Sequence, residues 1–445
     1  MRAWLIAGAA LWLCSLTATA ANAAAPLASY QRQQVYPLSL SSWPKTPEQD
    51  SASQLQQLVA DRLLAQAALQ RYGEATLYPA QTVAYGRQFL IDKALTQQLY
   101  QLCRQEIDNK LGTAPAQSLL SWAKAEWQIQ QQQLDELLGK DPRLQLEYRL
   151  SSAQFAAAQN IIVLRYQLAD KTLKLSLAEL SQQFNVQGRV ELFRGNLPFI
   201  QQQALQVLFA AYVREVARQH WSDHEIADLR VSLAAQIDLQ ALAELYGLPE
   251  HSDRPSAILQ ALQRDIRAAE ISKYYHAHRQ NFKVIDQVKA RHIQLRDEKL
   301  VQTVRLALQQ NADFASLARQ YSSAADASQG GDLGWRKAHA EADWLSQFAL
   351  LQTPGQASAA VLAPSVGTND RYWEIVLVEQ QRQRYADLQS IGVQDQIRQI
   401  LARAKAQANL RRWRQQLLAQ ANLKILVDPA TLNQIGRQVA GRSQP

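Results

Sequence analysis

Residues 313–335, DFASLARQYSSAADASQGGDLGW, constrain the fold more than any other part of this 445-residue chain. Phe314, Leu317, Ala318 and Tyr321 recur at helical spacing, so the stretch opens as a short amphipathic helix. A small polar loop follows and ends in Gly330-Gly331-Asp332-Leu333-Gly334-Trp335. Glycine accepts positive φ and close backbone approach, and an aspartate in a turn bonds its own backbone. The pattern is a helix stop, a tight turn and a return into a strand.

The flanking residues extend it into one alternation. Residues 288–296 read as a strand, 298–309 as a helix with Leu300, Val304 and Leu308 inward, and 344–350 as a further helix stopped by Thr353-Pro354-Gly355. Residues 359–363 and 372–379 read as two more strands, which gives the order β-α-α-β-α-β-β over residues 286–380. An FxxLAxxYS string followed by GGDLGW resembles the signature of parvulin-type peptidyl-prolyl cis-trans isomerases. The resemblance implies a four-stranded antiparallel sheet wrapped by helices.

An X-Pro bond rotates over a barrier of about 20 kcal/mol set by amide resonance. A catalyst needs an apolar pocket for the ring and polar groups that favour the twisted amide over the planar one. In parvulins these are two histidines, a Cys or Asp between them, and a pocket of Phe, Met or Leu. By resemblance, His292 stands at the first histidine, and the Cys or Asp position falls on Ala324, with Asp326 nearby. The second histidine falls on Trp373. The pocket phenylalanine falls on Asp343 with Trp344 beside it, the methionine near His339 or Glu341, while Leu333 and Phe348 keep apolar positions. The expected catalytic residues are therefore His292 and Asp326, and the expected substrate-binding residues Leu333, Trp344, Phe348 and Trp373. Two readings follow, a working isomerase or a degenerate domain that only binds. An accessory docking protein of an envelope secretion system is a third.

The amino-terminal residues bear on compartment. Arg2, an apolar run over residues 3–16 and two A-x-A sites ending at Ala20 and Ala23 make residues 1–23 a signal peptide, and the chain periplasmic. The run is shorter than the ~20 residues of a membrane span, and Leu13 before Cys14 does not fit a lipobox. With Cys14 removed, Cys103 is the sole cysteine, so no internal disulfide forms and an apolar core must hold the fold. Cys103 sits in an apolar-periodic helix with Leu99, Leu102 and Ile107 and reads as a buried thiol. The net charge of +8 is scattered, densest at Arg411, Arg412 and Arg414. It allows peripheral contact with an anionic envelope membrane, and no motif points to nucleic acid.

The remaining segments read as mostly helical. Residues 24–49, rich in Ser, Gln and Pro, read as a flexible linker. Residues 50–285 form a helical module. Leu55, Leu58, Val59, Leu63 and Leu64 mark one face of a helix that Gly73 closes, and residues 122–138 and 198–219 read as further helices. Residues 171–180 and 189–193 look extended, and 256–282 looks like one helix. Ser222 and Glu225 form a capping box, which leaves His220 outside the helix that carries His224. The two do not share a face, so no metal is expected there, and no cofactor is expected anywhere. Residues 381–430 read as a helix returning to the helical module, with LKILV at its end, and 431–445 as a tail. The fold class is α+β, a largely helical chaperone-like module plus a parvulin-like domain. The whole resembles SurA-like exported chaperones, whose partners are unfolded or proline-containing polypeptides.

Overall fold

The computed structural model describes residues 24–43, 50–79, 85–139, 148–249, 255–339, 342–364 and 371–442. The expected signal peptide lies outside them, as does Glu341. Two compact units emerge, one of residues up to 260 with those from 405 onward, the other of residues 261–404.

In the first unit, residues 24–43 are not a flexible linker. They form a hairpin, β1 (Ala28–Tyr30) and β2 (Gln33–Val35), and a one-turn helix, Pro37–Leu40. Leu27, Tyr30, Val35, Leu40 and Trp43 are buried against Leu55, Leu58, Val59 and Leu63 of the Ser51–Tyr72 helix. A Ser- and Gln-rich average concealed this short apolar series. A buried ion pair latches the segment. Arg62 Nη1 meets Asp228 Oδ1 at 2.7 Å, with 3% and 7% of the side chains exposed. Asp228 Oδ2 also accepts from Tyr36 N (2.8 Å) and Ser39 Oγ (2.5 Å). Burial of the pair is tolerable because both charges are hydrogen-bonded; removing one partner would strand the other.

Local chemistry sets most helix ends. Asp50 accepts from Ser53 N at 2.6 Å and caps Ser51–Tyr72, and Gly73 ends it with φ +76°. The expected helix over 122–138 is instead Pro115–Trp122, a short strand β3 (Glu126–Trp127) and Gln131–Leu138. Lys124 adopts φ +41° between the two helices, and β3 pairs into a sheet with β4 (Ile162–Leu168) and β5 (Lys171–Ser176). Residues 189–193 are helical, not extended, within Val186–Phe193. Asn185 Oδ1 accepts from Gly188 N at 2.9 Å, and this cap outweighs β propensity. The capping box at Ser222 starts the Asp223–Leu245 helix, and His220, outside it, bonds Glu106 Oε2 at 2.7 Å. Cys103 is buried among Leu99, Ile107 and Leu208.

The expected tail is a helix, Pro429–Arg442, with Leu432 buried. Asn433 Oδ1 accepts from Ser51 N at 3.1 Å, and a Cβ on Gly436 would lie 2.4 Å from Ser51 Oγ. The two-residue strand Lys424–Ile425 pairs antiparallel with β1, Ala28 opposite Ile425.

In the second unit, the stretch expected as one helix over 256–282 breaks into Ala257–Arg264, which straddles the boundary, Ala268–Ala277 and a 3-10 turn, Arg279–Phe282. Tyr275 Oη donates to Ala386 O at 2.6 Å, and Ile271, Tyr275 and Phe282 pack on Val393 and Ile397. The four-stranded antiparallel sheet forms as expected. Its strands are β6 (Lys283–Leu295), β7 (Asp332–Lys337), β8 (Val361–Leu362) and β9 (Trp373–Tyr385), in spatial order β7-β6-β9-β8. Side chains alternate between its faces. Ile293, Leu295 and Ile375 face the Glu298–Gln309 and Phe314–Tyr321 helices through Val304, Phe314 and Leu317. Val288, Ala290, Val376 and Val378 face Ala349 of the Trp344–Leu350 helix.

The double glycine sets the loop before β7. Gly331 has φ +67°, and a Cβ on it would lie 2.0 Å from His292 O. His292 N donates to Gly331 O at 2.9 Å, so loop and strand meet backbone to backbone. Gly334, with φ +65°, has open space around it. Gly331→Ala is expected to lower unfolding stability by more than about 2 kcal/mol through clash plus strain. Gly334→Ala, which meets strain alone, is expected to cost about 1–2 kcal/mol. Chemical denaturation of the two variants against the parent checks the difference.

Candidate active site

His292 lies on β6 with its side chain 7% exposed, and each ring nitrogen meets a carboxylate. Nδ1 is 2.8 Å from Glu374 Oε2, and Nε2 is 3.0 and 3.1 Å from the two oxygens of Asp326. An ionised carboxylate only accepts hydrogen bonds, so the ring satisfies both as imidazolium, with two N–H donors. Burial favours the neutral ring, but the hydrogen bond and charge of Glu374, with those of Asp326, outweigh it. The His292 pKa is raised above the usual histidine range.

The loop places Asp326. Asp326 O accepts from Gln329 N (2.9 Å) and Gly331 N (3.0 Å), which closes a 3-10 turn and turns the carboxylate toward His292. Arg291 pins the same loop, donating from Nη1 to Gln329 O (3.3 Å) and Gly330 O (3.2 Å) and from Nε to Glu379 Oε1 (2.5 Å). Ala324 brings no functional group, and the carboxylate that meets Nε2 of His292 is that of Asp326, two residues further on. On the same sheet face, Leu333 and Phe348 pack beside Ala290 and Val376. Trp344 stacks on Phe348, centroids 5.4 Å apart and planes 5° from parallel.

One expectation needs correction. Trp373 points to the other face, where it packs with Ile293 and Ile375 under the helices. The group that β9 presents to His292 is Glu374, 2% exposed, one residue along. The strand reads IVLV because both faces are buried, so alternation in the sequence does not show which residues face the histidine. Only the register, with His292 opposite Val376 and Gln294 opposite Glu374, does so. Asp343, at the expected pocket phenylalanine, is a helix cap that accepts from Ser346 N at 2.8 Å.

Residues 286–380 match the PPIC-type PPIase (rotamase) domain. This segment is a parvulin-type peptidyl-prolyl isomerase domain. The chain is similar to the chaperone SurA of Hahella chejuensis, 31% identical over 155 residues, which are 32% of this chain and 33% of that protein. It is also similar to the foldase protein PrsA of Caldanaerobacter subterraneus, 38% identical over 80 residues, 17% of this chain and 25% of that protein. The chain thus spans a third or less of the length of these two relatives. Among solved structures it is similar to the peptidylprolyl isomerase PrsA of Bacillus anthracis, at 16% identity and a TM-score of 0.21, covering 52% of this chain and 80% of that one.

A histidine whose folded pKa is raised contributes stability that is fully present below its unfolded value and is lost as pH rises through the folded value. Unfolding stability should therefore decline as pH is raised from the ordinary histidine range through the raised His292 value. Glu374→Gln should lower the His292 pKa, reduce stability by about 1–3 kcal/mol at mildly acid pH and flatten the decline. Ring-proton NMR titration and denaturation across pH check both.

Proposed function

We propose that this chain is an exported folding factor whose parvulin-type domain isomerises X-Pro bonds, and whose helical unit holds unfolded polypeptides in the cell envelope. The observation that carries the reading is the imidazole of His292 clamped between Asp326 and Glu374, on a sheet face with Leu333, Phe348 and Trp344.

The chemistry follows from amide resonance. A planar X-Pro amide places partial negative charge on its carbonyl oxygen, and the twisted amide gives that charge up. The cluster holds two carboxylates and one imidazolium, a net charge of minus one. A carbonyl oxygen beside the part-exposed Asp326 is destabilised while planar and relieved as it twists, which is differential stabilisation of the rotated state. His292 holds the Asp326 carboxylate in place through Nε2. Leu333 and Phe348 take up the proline ring, and Trp344 supports Phe348. Among the described residues no helix is long and apolar enough to cross a membrane.

A protease-coupled cis-trans assay on a short X-Pro peptide tests the catalytic part. His292→Ala and Asp326→Asn should each lower kcat/KM at least about tenfold, a loss of about 1.4 kcal/mol in transition-state stabilisation. Trp373→Phe, on the far face, should leave turnover unchanged. No acceleration by the parent chain would leave polypeptide binding as the domain's role.

A further inference from the structure

A recess of about 470 Å³ lies in the first unit beside the Val186–Phe193 helix, within the usual size of a ligand site, roughly 300–1,000 Å³. We propose that it holds an extended, uncharged polypeptide segment by one large apolar side chain, a site separate from His292 that rests on the polypeptide-holding reading above.

Aromatic rings form its apolar wall. Phe184 and Phe199 meet at 5.3 Å between centroids, and Tyr85 completes the wall, stacked on Phe89 at 4.3 Å. Gly188 makes room for them. A Cβ there would stand 3.1 Å from Phe184 Cβ and 3.4 Å from Phe199 Cζ. A glycine inside a helix costs roughly 0.5–1 kcal/mol against alanine, and here it lets the Phe184 and Phe199 rings pack against the helix.

The rim carries amides and one ion pair. Glu191 bonds Arg194 at 2.8 Å through one oxygen and Asn196 Nδ2 at 2.6 Å through the other, so the charges of the lining are spent on each other. Gln187 and Gln203 stand at the rim with no partner among the described residues. A carboxamide both donates and accepts, as a peptide group does. It therefore matches the backbone of any extended segment, while the rings take an apolar side chain by area and by edge or stacked contact. A neutral mouth selects against strongly charged segments. Sequence-indifferent capture of a strand with one large apolar residue is the recognition this lining provides.

Fluorescence anisotropy of the full chain with a labelled, unstructured peptide of Gly, Ser and Asn carrying a single Phe tests it, against the same peptide with Phe→Ser. The Phe peptide should bind, and the Ser peptide should bind at least about tenfold more weakly. The Gln187→Ala, Gln203→Ala double variant, on accessible rim positions, should weaken Phe-peptide binding about fivefold or more with an unchanged thermal melt. Gly188→Leu should abolish it. X-Pro turnover should be unchanged in all of them. Equal binding of the two peptides, or parent-like binding by the folded double variant, overturns the recess while leaving polypeptide holding elsewhere intact. A parent chain that binds neither peptide overturns both the recess and the polypeptide-holding reading, with X-Pro turnover judged separately.

Discussion

The contact of Gly331 with His292 is the constraint on which the isomerase domain depends. A backbone oxygen occupies the space where any side chain on Gly331 would begin, and the same two residues share a hydrogen bond. Loop and strand cannot separate without losing that bond, and cannot close without glycine. From this fixed point the loop runs back through a 3-10 turn to Asp326, and Arg291 ties it from the other side. The position of the acid is thus a property of the backbone around it more than of its own side chain.

The second consequence concerns charge. Two carboxylates brought to one buried face would repel each other and pay for desolvation; the imidazolium between them supplies both with a donor and halves the excess charge. His292 thus joins the two carboxylates through both ring nitrogens.

What was legible in the sequence was what local chemistry decides. The capping box at Ser222, the stop at Gly73 and the turn at Gly330-Gly331 each involve residues within four of one another. His292 stands at a motif position, while Asp326 lies two residues past Ala324, the position that the motif marks. Glu374 was not legible, because a strand apolar on both faces carries no sign of which side it turns to the histidine. The ordered segments at 24–43 and 429–442 were missed for a related reason. Their apolar residues are few, and the hydrogen bonds that fix them reach far along the chain, as from Tyr36 and Ser39 to Asp228 and from Ser51 to Asn433. The break at Lys124 was invisible because strand β3 exists only through pairing with β4.

The pairing of Ala28 with Ile425 has a consequence for how the molecule is made. The small sheet of the first unit joins two segments separated by nearly the whole described chain, with residues 261–404 inserted between them. Closing so long a loop is slow, because its entropy must be met before any contact rewards it. During synthesis the β1–β2 hairpin waits for its third strand until residue 425 has emerged, while every strand of the isomerase domain is already present. The isomerase domain has the opportunity to be complete first, and the unit that begins the chain is the last to be finished.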